Sequence, residues 1–257
     1  MSSVLANTAF GDDPGRWPLP QASTPHELWL RAVAAGGQGR YGSAMADLDG
    51  VCRLQRHRPL VSLAHSTRAS FLRQLGWHDR ARRWDGRALA LAGSDHDAAA
   101  DALIGLAADA LGVGRFAVSA TALQRAGGLV TGSRLPVRLA WVSAELAMAR
   151  GEGASAVGHA ERAVEHAAAF GSARHTLKSD VILAAALCSA GNIEAARRVA
   201  DAALQHAGGL GMIPLQWALA CLLADIGSGD HTAADVLRMR NECAATVRRR
   251  GGALADR

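Results

Sequence analysis

Few side chains in this chain of 257 residues are of types and spacings that do chemistry. Asp95-His96-Asp97 offers three metal-ligand types in a row, but the same run reads as a helix start, where acids are favoured by the helix dipole. His159, Glu161, Glu165 and His166 crowd one helical segment at spacings that scatter them around its surface. There is no G-x-S-x-G, no phosphate-binding G-x-x-x-x-G-K-[ST], no H-E-x-x-H and no dinucleotide glycine fingerprint. The cysteines Cys52, Cys188, Cys221 and Cys243 are scattered and form no C-x-x-C; they read as buried thiols of a reducing compartment. No catalytic residue, metal site or cofactor is expected.

Charge is the stronger signal. Residues 51–90 hold Arg53, Arg56, Arg58, Arg68, Arg73, Arg80, Arg82, Arg83 and Arg87 against Asp79 and Asp85, a local +7 in a chain whose net is +5. Arg80, Arg83 and Arg87 share one helix face by their spacing. Arg53, Arg56 and Arg58 fall in the preceding loop. Such a surface suits an acidic protein or phosphates, or is an ordinary solvated face partly paired with Asp79 and Asp85. Aromatic interleaving is thin (Trp77, Trp84), so a protein partner ranks ahead of nucleic acid.

These groups are carried by a repeated element. Gly39-Arg40-Tyr41-Gly42-Ser43-Ala44 returns as Gly76-Trp77-His78-Asp79-Arg80-Ala81 and Gly114-Arg115-Phe116-Ala117-Val118-Ser119. Weaker copies start at Gly151, Gly191 and Gly229, so the glycines stand 37, 38, 37, 40 and 38 residues apart. A period in this range marks a stacked array of helix pairs. The glycine ends the first helix with a positive φ. Seven residues before it stand Ala32, Ala69, Ala107, Ala144, Ala184 and Leu222. Five after it stand Ala44, Ala81, Ser119, Ala156, Ala196 and Ala234. Twelve after it stand Val51, Ala88, Ala126, Ala163, Ala203 and Asn241. Small residues at fixed places let paired helices approach closely. The expected pairs are 25–38 with 42–55, 60–75 with 79–92, 96–111 with 117–127, 136–150 with 154–169, 173–190 with 194–207, and 213–227 with 231–249. Residues 1–23, rich in Gly and Pro, read as an irregular arm, 24–250 as the repeat domain, and 251–257 as a short tail. No segment approaches a membrane span, and no secretory signal is seen, so a cytoplasmic protein is expected.

The pattern resembles the tetratricopeptide repeat family over roughly residues 25 to 250. The resemblance implies an all-α, right-handed superhelical array of about six antiparallel helix pairs whose first helices line a concave face. The inward positions lie thirteen, ten, six and three residues before each turn glycine. Carried over, they include Trp29, Arg73, Asp101, Arg138, Trp141, Glu145, Met148 and Lys178, with Gln216, Leu219, Leu223 and Ile226 in the sixth repeat. Mixed charge beside Trp141 and Met148 suits a peptide or partner helix; the same spacing is met if the array closes tightly and Trp29 and Trp141 are core. The asparagines of the family's chaperone-tail clamp are missing, so that ligand is not expected. The implied function is a non-catalytic scaffold for a protein or peptide partner, an adaptor or regulator. The alternative is a sensor module for a small signal molecule or nucleic acid.

Overall fold

The computed structural model describes residues 2–54, 58–132 and 134–255. Thirteen helices and no strand occur among them. Helix α1 spans Ser2–Phe10. Six pairs follow: α2 (Pro25–Gly37) with α3 (Tyr41–Leu54), α4 (Arg58–Gln74) with α5 (His78–Ala92), α6 (His96–Gly112) with α7 (Phe116–Gly127), α8 (Arg134–Ala149) with α9 (Gly153–Phe170), α10 (Ala173–Ser189) with α11 (Ile193–Gly209), and α12 (Ile213–Ile226) with α13 (Ala233–Arg249). Each helix packs on its pair partner, and each first helix also packs on the first helix of the next pair.

Local chemistry sets the boundaries. Thr24 caps α2 through a hydroxyl that accepts from Glu27 N–H at 3.2 Å, while the Glu27 carboxylate accepts from Ser23 and Thr24 N–H. Asp95 caps α6 by accepting from Ala98 N–H at 2.8 Å. Five of the turns between pair members share one geometry. Gly39, Gly76, Gly114, Gly151 and Gly191 all have φ between 75° and 91°. The residue after each donates its N–H five residues back: Arg40 to Ala35, Trp77 to Leu72, Arg115 to Ala110, Glu152 to Ala147 and Asn192 to Leu187. In these five pairs every small residue of the repeat pattern is buried.

The sixth pair departs from the expected frame. Its positive-φ glycine is Gly227, not Gly229. Counted from Gly227, the crossing residue is Ala220, fully buried, rather than Leu222. On α13 the buried pair is Val236 and Cys243, two residues beyond the expected Ala234 and Asn241, which are exposed. The connection is therefore longer than in the other pairs. Asp201 holds it by accepting from Ser228 Oγ at 2.6 Å and Gly229 N–H at 2.8 Å.

The two ends of the array meet. Arg250 Nη1 donates to Gln38 O at 2.6 Å, and Gly42 N–H donates to Arg250 O at 3.0 Å. The tail packs down rather than trailing away: Ala255 N–H donates to Leu75 O at 2.8 Å and Trp77 Nε1–H to Ala253 O at 2.7 Å. Val247, Ile213 and Leu254 join the apolar core of the first pair. The N-terminal arm, expected to be irregular throughout, begins with α1, whose Leu5 and Ala9 are buried against the first pair. Beyond it, Gly11 O accepts from Ala173 N–H at 3.0 Å, and the Gln38 amide donates to Pro14 O and Arg16 O. The arm thus ties α2 to the start of α10.

Candidate functional site: a central cavity

The first helices of all six pairs line a half-open cavity of about 480 Å³. Of the twelve inward residues named from the sequence, seven line it: Trp29, Arg73, Asp101, Arg138, Trp141, Glu145 and Lys178. Met148 instead packs into the apolar layer around Ala144 and Ala156, between α8 and α9. In the sixth pair the expected Leu219 and Leu223 are core residues; Pro214, Leu215, Trp217 and Ala218 face the cavity instead. The shifted glycine explains this, because counting back from Gly227 brings Pro214 and Trp217 to the inward positions. A small residue at 220 with a leucine at 222 was the available signal.

Aromatic rings form one wall. Trp29 is nearly buried, and its indole N–H donates to Thr67 Oγ at 2.9 Å. The Trp141 indole N–H donates to Ser179 Oγ at 2.8 Å, and its ring stacks on His175 with centroids 5.3 Å apart. Phe170 meets the same imidazole edge-on at 4.9 Å. Phe10, from the arm, lies 5.5 Å from Trp29 and 6.0 Å from His175. Trp29 is thus both core and cavity wall. His175 sits beside Ser172 Oγ at 3.0 Å from Nδ1; burial and the nearby arginines hold its pKa well below the ordinary histidine range, so it is neutral at pH 7.

Charges form the other wall. Arg73 lies between the Asp85 and Asp109 carboxylates. Asp101 serves two arginines on one face of α8, Arg134 at 3.1 Å and Arg138. Lys178 stands 3.5 Å from Glu145. Arg174 has no carboxylate at ion-pair distance among the described residues. Burial draws Arg134, Arg138 and Arg174 down to about 10, and the arginines repel one another; each remains cationic at neutral pH. Arg134 and Arg174 went unassigned from the sequence because they lie one helical turn before the expected inward positions, in the first turns of α8 and α10.

The basic second repeat is divided between inside and outside. Arg53, Arg58, Arg80, Arg83 and Arg87 are exposed, whereas Arg56 lies outside the described residues. Arg80 covers the Trp77 ring at 4.1 Å; Arg68 and Arg87 flank Trp84. Asp85, expected to offset this surface charge, is fully buried and turned inward to Arg73. It falls on the same stripe as Ala81 and Ala88, which is why it points in. A Cβ on Gly105 would overlap its carboxylate, so the glycine makes room for it.

Among the described residues no three His, Cys, Asp or Glu side chains gather as metal ligands. Asp95 is spent as a helix cap, and Asp97 accepts a hydrogen bond from Thr131. No disulfide is present; Cys243, close to Cys221, has its thiol pushed up to about 11 by burial. No helix among the described residues is long and apolar enough to cross a membrane. The chain matches no protein-family model and no curated protein.

Proposed function

We propose that the protein is a non-catalytic, regulatory binding module of the tetratricopeptide type, wound as a right-handed superhelix and working in the cytoplasm. Its inner face receives a compact ligand, a small signal molecule, rather than a long extended peptide. The observation that supports this reading is the shared lining: six first helices and Phe10 converge on one half-open cavity of about 480 Å³, and the first and last pairs are hydrogen-bonded together. Small-molecule cavities run from about 300 to 1,000 Å³, mostly apolar with a few fixed polar groups. An extended peptide needs an open trough along several repeats, and Phe10 of the arm stands in that space. The repeated glycine turns and the buried alanines support the family assignment, and the absence of disulfides suits a reducing compartment.

Native mass spectrometry after incubation with a cell extract tests this reading. The parent should retain a low-mass species, and Ala108→Phe, which fills the cavity, should lose it while melting like the parent. Retention by both proteins, or by neither, would rule the cavity out as the ligand site.

A protein partner is a second reading, supported by a different surface. Arg80, Arg83 and Arg87 are exposed on α5 with no carboxylate at ion-pair distance among the described residues. An adaptor role would use this outer face. Nucleic acid ranks behind a protein there.

A further inference from the structure

Five cationic side chains face the central cavity, and their counter-charges are unequally shared. Arg73 is matched by Asp85 and Asp109, and Lys178 by Glu145. Arg134 and Arg138 divide the single carboxylate of Asp101. Arg174 has none. Three arginines on the neighbouring helices α8 and α10 therefore have one carboxylate among them, in a partly desolvated space. Arg174 is also held in place. It packs against α2 so closely that a Cβ on Gly37 would lie 3.1 Å from its Cδ. Burying guanidinium charge without an acid is unfavourable unless something else completes the pairing.

We infer that the cavity binds an organic anion, its carboxylate or phosphate group seated between Arg174 and the Arg134–Arg138 pair and its apolar body against Trp141, Phe10 and Trp217. The inference rests on the cavity being the ligand site. Guanidinium groups present paired N–H donors that match the oxygens of either acid. The rings beside them leave an apolar wall for the remainder of the molecule. Burial, and after it the charge of Arg134, lowers the pKa of Arg174, and an anion lying between the two would offset that repulsion.

Three probes with one ring system separate the possibilities: 1-naphthaleneacetate, 1-naphthyl phosphate and uncharged 1-naphthaleneethanol. Isothermal titration calorimetry on the full chain should show one site, with at least one acid binding about tenfold or more tighter than the alcohol. Which acid binds tighter decides between carboxylate and phosphate. Arg174→Gln should remove that preference and leave the alcohol unchanged, whereas Arg174→Lys should keep much of it. Arg134→Gln serves as a second variant should Arg174→Gln melt early. Equal binding of acids and alcohol, or a preference that survives both substitutions, would overturn the anion site while leaving the cavity reading intact. No heat with any probe, together with no retained low-mass species, would overturn both.

Discussion

Arg73 on α4 donates to Asp109 on α6 at 2.9 Å, and the same Nη1 donates to the Asp85 carboxylate of α5. Three helices from two successive pairs are tied through one guanidinium. Removing it would strand two buried acids. Arg73→Met should therefore cost about 3–5 kcal/mol, the loss typical of breaking a buried ion pair from one side. Urea denaturation measures it, and a loss under about 1 kcal/mol would mean that the three groups are not buried together.

The same cluster sets a pH dependence. Burial raises Asp85 to about 7 and raises Asp109 in the same direction, Arg73 notwithstanding. Asp85 Oδ1 and Asp109 Oδ2 are both buried without a hydrogen-bond partner, and a proton held between them would supply the missing donor. An unfolded aspartate ionises near pH ~3.9. Between about pH 4 and 7 the folded chain thus holds the extra proton, so this contribution to stability is complete below about pH 4 and is lost as the pH rises through 7. The slope is bounded by about 1.4 kcal/mol per pH unit for one proton. Asp85→Asn, whose amide can donate to Asp109, should flatten the slope across that window. Thermal melts at pH 4.5, 6 and 7.5 test it; an unchanged slope would move the titration elsewhere.

The frame of the sixth pair is open to a direct comparison. Ala220→Leu should overpack the α12 crossing and cost about 1–3 kcal/mol. Asn241→Leu, at an exposed position on α13, should stay within about 0.5 kcal/mol. If the two results were exchanged, the turn glycine would be Gly229 after all.

The outer face of α5 carries the electrostatic test. Exposed charges steer association and are screened beyond about 8 Å at physiological salt. Should an acidic protein dock there, Arg80→Glu, Arg83→Glu and Arg87→Glu together should slow its association and remove most of the salt dependence. Stability should change little, since exposed pairs contribute about 0–1 kcal/mol. Biosensor rates over a salt series decide the matter: unchanged rates would return these arginines to an ordinary solvated face. The double variant Arg138→Glu with Trp141→Ala, confined to the cavity, should leave that salt slope as it is.

Much of this molecule was legible in the chain because its repeating constraints are local. A positive φ at Gly39, Gly76, Gly114, Gly151 and Gly191, and a close crossing at Ala32, Ala69, Ala107, Ala144 and Ala184, each demand a small residue at a fixed offset. Helical period then carries the inward direction from those positions, so Arg73, Asp101, Arg138, Trp141 and Lys178 could be placed on one face without coordinates. Asp85 was within reach too, on the Ala81–Ala88 stripe, although its charge argued for the surface.

Tertiary structure alone decided how that face is closed. Arg250 and Gln38 are 212 positions apart, and no local pattern says that they meet. Phe10 enters the cavity only because Gly11 and Pro14 are hydrogen-bonded to α10 and α2, contacts that no repeat offset encodes. The surplus charge on Arg174 is likewise invisible in the sequence. It depends on which acids reach across from other helices, and those are fixed by the packing of the whole array.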